Sequence, residues 1–111
     1  MNTFKSYPSK NVTTSGATVY TVPASTQTIG VGLIIANTSR TPYEANVFIT
    51  RESIDYYMVA NATIPVGGSL VVAGLEQKLV LQAGDAVKVK PSANSACDVF
   101  LSILEVVPTN Q

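Results

Sequence analysis

The chain has no histidine, no tryptophan, a single cysteine at position 97, and charged residues at only 13% of its 111 positions. Each scarcity removes a class of function. A zinc site is ordinarily built from several imidazole or thiolate ligands, and this chain has one such group to give. Nucleophilic catalysis needs a base beside the serine or cysteine, and without histidine Cys97 has no evident partner. A lone cysteine makes no intrachain disulfide. Cys97 opens an apolar run, so it is expected as a buried thiol that behaves as a small hydrophobe. Lys plus Arg equals Asp plus Glu, at seven each. Nucleic-acid binding draws on a basic stripe, whereas Lys88 and Lys90 are the one close basic pair and read as a solvated face or guarded edge of a strand. No nucleic-acid partner is expected. No apolar run approaches the ~20 residues that span a bilayer, so no membrane partner is expected either. The first residues carry no apolar core of a signal peptide, which reads as a protein made in a reducing cytoplasm.

The carboxylates Glu44, Glu52, Asp55, Glu76, Asp85, Asp98 and Glu105 are scattered. A glycosidase-type pair would need the fold to bring two of them together. Asp85 follows Gly84 and has a plain turn role. Asn37, Ser39 and Asp55 could offer oxygens to calcium, but no clustered acidic loop surrounds them, and turn formation is the simpler role. Gly67-Gly68-Ser69 lacks the Gly-Lys-Ser/Thr ending of a phosphate loop and precedes a strand, so it reads as a hairpin turn. The sequence therefore reads as non-enzymatic, with no cofactor and no metal.

What is present is β-strand grammar. Residues 18–22 alternate and stop at Pro23, which cannot donate a ladder hydrogen bond. Residues 29–36 are strongly apolar, with Gly30 and Gly32 leaving one side flat where something packs closely. Strands follow at 44–50, 56–64, 69–73, 78–81 and 86–90, with residues 51–55, Gly67-Gly68, Gly74, Gly84-Asp85 and 91–95 as punctuation. Residues 97–107 form a long run with apolar residues on both sides (Val99, Leu101, Ile103 against Phe100, Leu104, Val106), the pattern of a central strand covered on both faces. About eight strands at this spacing, without a helical period, predict an all-β fold, an antiparallel β-sandwich or jelly-roll with no significant helix. Residues 1–16 read as a partly extended N-terminal arm with at most one edge strand, 17–107 as the sandwich domain and 108–111 as a tail. The charge-poor, Ser/Thr/Asn-rich composition suits burial against other subunits, with a quiet monomer as the alternative. Tyr43, Tyr56 and Tyr57 combine large apolar area with a polar tip, as glycan-binding or interface residues do. Adjacent Tyr56 and Tyr57 point to opposite faces of a regular strand, so at most one faces the core.

Three segments are similar to small β-sandwich virion proteins of tailed bacteriophages: Ile64-Pro65-Val66-Gly67-Gly68-Ser69-Leu70, then residues 78–89 with their Leu81-Gln82-Ala83-Gly84-Asp85 turn, then residues 98–105 ending in Leu104-Glu105. The shared features are a proline-glycine turn into a strand, a Leu-x-x-Gly-Asp turn and a closing strand. The resemblance implies a capsid decoration (cement) protein or a tail, adaptor or fibre module, with no catalytic residues to transfer. The partner implied is a major capsid protein or another virion protein, with homo-oligomerisation as a dimer or trimer, and the location implied is the virion after synthesis in the host bacterial cytoplasm. Contacts are expected from residues 2–14, with Phe4, Tyr7 and Val12, and from Tyr43, Tyr56 and Tyr57.

Overall fold

Strict alternation of apolar and polar side chains puts one face of each strand toward a shared interior, and turn chemistry decides where the chain crosses from one layer to the other. The computed structural model describes residues 2–73, 79–92 and 97–107. Its strands are β1 (Asn2–Val12), β2 (Ala17–Thr21), β3 (Gln27–Asn37), β4 (Tyr43–Arg51), β5 (Ile54–Ile64), β6 (Ser69–Ala73), β7 (Leu79–Leu81), β8 (Ala86–Pro91) and β9 (Cys97–Val106), with no helix among the described residues. Sheet I runs β1-β9-β3, with β6 and β7 pairing successive stretches of β3 on its far side. Sheet II runs β2-β8-β4-β5. All pairings are antiparallel. The chain alternates between sheets for most of its length, which gives the interleaved order of a jelly-roll. The expected all-β sandwich is the observed fold.

The interior is apolar. Leu33, Ile35, Leu101 and Ile103 of sheet I face Val47, Val87 and Val89 of sheet II, and all are fully buried. Burying one such side chain contributes roughly 1.5–3 kcal/mol. Gly30 lets β7 pack closely on β3, since a Cβ there would stand 3.1 Å from the Cβ of Leu79 and push it back by a few tenths of an ångström. Cys97 is buried and unpaired in a disulfide, and desolvation pushes its thiol above the usual range.

Three expectations change. The Pro65–Gly68 turn closes with Gly68 N–H donating to Pro65 O at 2.9 Å, and Gly67 has φ 74°. It carries the chain from sheet II to sheet I, so it is a crossover and not a hairpin. The tight hairpin lies at Glu52-Ser53 instead, where both residues have positive φ (52° and 65°) and Arg51 pairs Ile54. Neither residue is glycine or asparagine, so the sequence disguises this type I′ geometry as a longer connection. Finally, β9 is central in its sheet but covered on one side only, with Phe100 on the other side half exposed. Its two apolar faces reflect one core face and one uncovered face.

Residues 2–12 form a full edge strand, paired with β9 from Asn2↔Val106 to Val12↔Cys97 with an irregularity between Ser9 and Val12. The tail at 108–111, Gly74, Glu76, Lys78 and the turn residues 93–95 lie outside the described residues.

Candidate assembly surfaces

Cross-strand register organises the outer face of sheet I. One lateral row is Phe4, Leu104, Ile29 and Val80, residue opposite residue across β1, β9, β3 and β7. A second row is Pro8, Phe100, Ile34 and Val71 across β1, β9, β3 and β6. Between them runs a strip of small residues, Ser6, Ser102 and Gly32. Four residues of strand separate the rows, about 13 Å. Phe4 is 76% exposed, Val80 69%, Val71 61%, Phe100 49% and Ile34 44%. No ionisable side chain stands in either row. The nearest ion pair, Lys10–Asp98 at 3.7 Å, borders the second row beside a depression of about 290 Å³ flanked by Pro8, Ile34 and Phe100.

The second surface is the β4–β5 hairpin. Tyr57 stands opposite Phe48, their ring centroids 4.9 Å apart, and Tyr56 stands opposite Ile49. Tyr56 and Tyr57 therefore point to opposite sides of sheet II, as strand alternation requires. Both are exposed, as is Ile54, because β5 is the edge strand of its sheet and no described strand pairs beyond it. Irregularities in the β4–β5 register and a positive φ at Asn61 break the regular ladder of this edge, which discourages indiscriminate strand addition.

Two buried polar networks fix these surfaces to the core. In the first, Tyr20 Oη donates to Glu105 Oε2 at 2.6 Å and lies 2.8 Å from Thr28 Oγ1, while Lys5 Nζ reaches Glu105 Oε1 at 2.9 Å. Tyr7 packs on Tyr20, ring centroids 4.9 Å apart. The Tyr20 hydrogen bond, then Lys5, hold the Glu105 carboxyl below its ordinary range, and burial with the Glu105 contact pushes the Tyr20 phenol well up. This cluster joins β1, β2, β3 and β9, and it places Phe4 beside Lys5. In the second network, Arg51 grips Asp85 bidentately (Nε–Oδ1 2.8 Å, Nη2–Oδ2 2.6 Å), and Gln82 N–H adds 2.8 Å to Oδ2. Asp85 is 1% exposed, and the Arg51 guanidinium holds its carboxyl below the usual carboxylate range. This clamp ties the hairpin end to the β7–β8 turn. Among the described residues every buried side-chain nitrogen and oxygen has a partner, and no three His, Cys, Asp or Glu groups converge to hold a metal.

The sequence-expected contact residues separate into two groups. Phe4, Tyr56 and Tyr57 stand on the two exposed surfaces. Val12 and Tyr43 are buried in the core, Tyr43 donating to Ala36 O at 3.3 Å, and Tyr7 is half-buried against Tyr20. Their apolar area is used within the chain, because the strand register turns all three inward. Sequence reasoning passed over Ile29, Ile34, Val71, Val80 and Phe100 as a group. Their juxtaposition is a property of register, which single-strand patterns do not carry.

No protein-family model and no curated protein matches the sequence. Solved structures share the fold. A subunit of the disulfide-linked pili that form Bacillus endospore appendages superposes with a TM-score of 0.60 at 14% identity, over 98% of this chain and 88% of that one. The nucleoplasmin-like N-terminal domain of Drosophila FKBP39 gives 0.51 at 16% identity, over 100% of this chain and 96% of that one. A chain of the T13 IBDV viral particle gives 0.51 at 9% identity, over 96% of this chain but 31% of the viral one. At such identities the likeness is one of fold: the chain shares its β-sandwich with subunits of a pilus and of a viral particle.

Proposed function

We propose that this chain is a non-enzymatic structural protein of a bacteriophage virion, a capsid decoration protein that binds across contacts between neighbouring major capsid proteins. The observation that carries this reading is the presence of two separate exposed apolar surfaces, the outer face of sheet I and the Tyr56–Tyr57 hairpin, on one small charge-poor domain. A clamp must hold at least two partners, and contacts repeated by shell symmetry turn weak binding into firm attachment. The sandwich fold shared with a viral-particle chain supports the reading, as does the phage-like turn grammar of residues 64–70 and 78–89. The N-terminal strand with Phe4 and the hairpin with Tyr56 and Tyr57 are the contact regions.

Exposed tyrosine rings also stack on sugars, which favours a second reading as a tail, adaptor or fibre module that touches host glycans. Cryo-electron microscopy of particles of the virus that encodes the chain, with the chain carrying an antibody tag, separates the two. Regular density over the shell is the expected result. Density at the tail, or particles without the chain, overturns the decoration reading.

A further inference from the structure

We infer that the outer face of sheet I is where two copies of this chain pack against one another, face to face about a two-fold axis. The inference goes beyond shell binding and does not depend on it: it gives one of the two exposed surfaces a second copy as its partner, so that a clamp's two shell contacts would come from the hairpins of the paired copies. β3 and β9 have the composition of strands buried on both sides, yet among the described residues only their inner sides are covered. The uncovered side is organised, not scattered: two four-residue apolar rows in lateral register flank the Ser6-Ser102-Gly32 strip, whose small side chains leave room for a phenylalanine ring. The five most exposed side chains present on the order of 600 Å² of apolar surface, at the upper limit for a patch on a soluble monomer. With half-buried Ile29, Leu104 and Val106 around them, the face approaches the ~800 Å² per partner of a standard stable interface.

Charge selects the occupant. The two rows hold no ionisable group, and the pair that borders them, Lys10–Asp98, is matched within the chain, so the face has little net charge with which to steer or hold a charged partner. Set against themselves the two rows bring no like charges together, and an isologous contact uses the same patch on both subunits. Two sheets pack well at about 10 Å through interleaved apolar side chains, and the two rows supply these. Pairing through this face leaves the Tyr56–Tyr57 hairpin of each copy free, so the dimer is bivalent toward a third protein.

The test is sedimentation equilibrium of the purified full chain alone, from about 1 to about 100 µM, a range that covers micromolar dissociation constants. The wild-type protein is expected to sediment at twice its chain mass at the upper end. Phe100→Lys and, separately, Ile34→Lys place a charge in the middle of the face at half-exposed positions. Each should weaken dimerisation at least ~30-fold, as loss of an interface hot spot does. Tyr57→Lys, on the hairpin, should leave it unchanged, and far-UV circular dichroism verifies the fold of each variant. A wild-type monomer throughout the range overturns the inference, as does a trimer, or a dimer that survives both lysine substitutions. Because no shell is present, the result is independent of whether the protein decorates one.

Discussion

Removing the hydroxyl of Tyr20 isolates the energetics of the Glu105 network without disturbing its packing. Tyr20→Phe keeps the ring against Tyr7 and creates no cavity larger than one oxygen atom. It deletes the 2.6 Å donation to Glu105 Oε2 and the 2.8 Å contact with Thr28 Oγ1, both buried. A hydrogen bond to an ionised group contributes about 1.5–3 kcal/mol, and a buried acceptor left short of a donor adds its own desolvation penalty. Lys5 still holds the other carboxylate oxygen, so the charge is not stranded. The expected loss is about 3 kcal/mol, or roughly 12 °C in melting temperature for a domain of this size. Urea denaturation followed by far-UV circular dichroism at pH 7 measures it.

The pH dependence sharpens this test. Tyr20 and Lys5 depress the folded-state Glu105 pKa, so their stabilisation is complete above the unfolded glutamate value of about 4.3 and is lost as pH falls through the lower folded value. Tyr20→Phe moves the folded value back toward the unfolded one. The gap between wild type and variant should therefore be full at neutral pH and narrow steadily in acid. A loss under ~1 kcal/mol at pH 7, or a gap independent of pH, refutes the assignment of this network.

Three further outcomes follow from the structure. Asp85→Ala releases the Arg51 clamp and leaves Gln82 N–H without its acceptor, which should cost about 3 kcal/mol in urea at pH 7. Because Asp85 is also depressed, by Arg51, that cost should shrink as pH falls below the ordinary carboxylate value of about 4. Glu52→Asn combined with Ser53→Gly replaces two side chains held at positive φ by residues that accept it, and should raise stability by about 1 kcal/mol, seen as a higher urea midpoint. Cys97, buried and with its thiol pushed upward, should resist Ellman's reagent in the native protein and react fully in guanidinium; rapid native reaction would contradict its burial.

Strand positions and the sandwich class were legible because period-two alternation and turn residues are local signals. Ile35, Val47 and Leu101 announce an inward face within their own strands, and Pro23 and Pro65 mark strand limits without reference to anything distant. The crossover at Gly67-Gly68 and the hairpin at Glu52-Ser53 were not legible as such, since a turn's local geometry does not state which sheet the next strand joins. Glu105 offered an overlooked signal. It continues the inward series Val99, Leu101, Ile103, and a carboxylate on a core-facing position requires a buried donor, which Tyr20 and Lys5 supply. Asp85 hid better, because an acidic residue after glycine is ordinary turn chemistry and its partner Arg51 lies 34 positions away.

The same contrast governs the candidate site. Tyrosines can be named singly from sequence, but Tyr43, Tyr56 and Tyr57 look alike there, and only register shows that the first is buried and the other two exposed. The apolar rows on sheet I cannot be named from sequence, since Phe4, Leu104, Ile29 and Val80 come from four strands and meet only through register. Yet one consequence did reach the sequence: a strand apolar on both sides has to be covered on both sides or leave apolar surface in water. The fold covers the inner side of β9 with sheet II and leaves Phe100, Leu104 and Val106 at the outer one. A monomer would spend its life with that face against solvent, at a steady cost in solubility that polar substitution at Phe100 or Ile34 would relieve without touching the core. The chain instead has a hydrophobic residue in every strand of each row, the arrangement that a second sheet packed on this face would need.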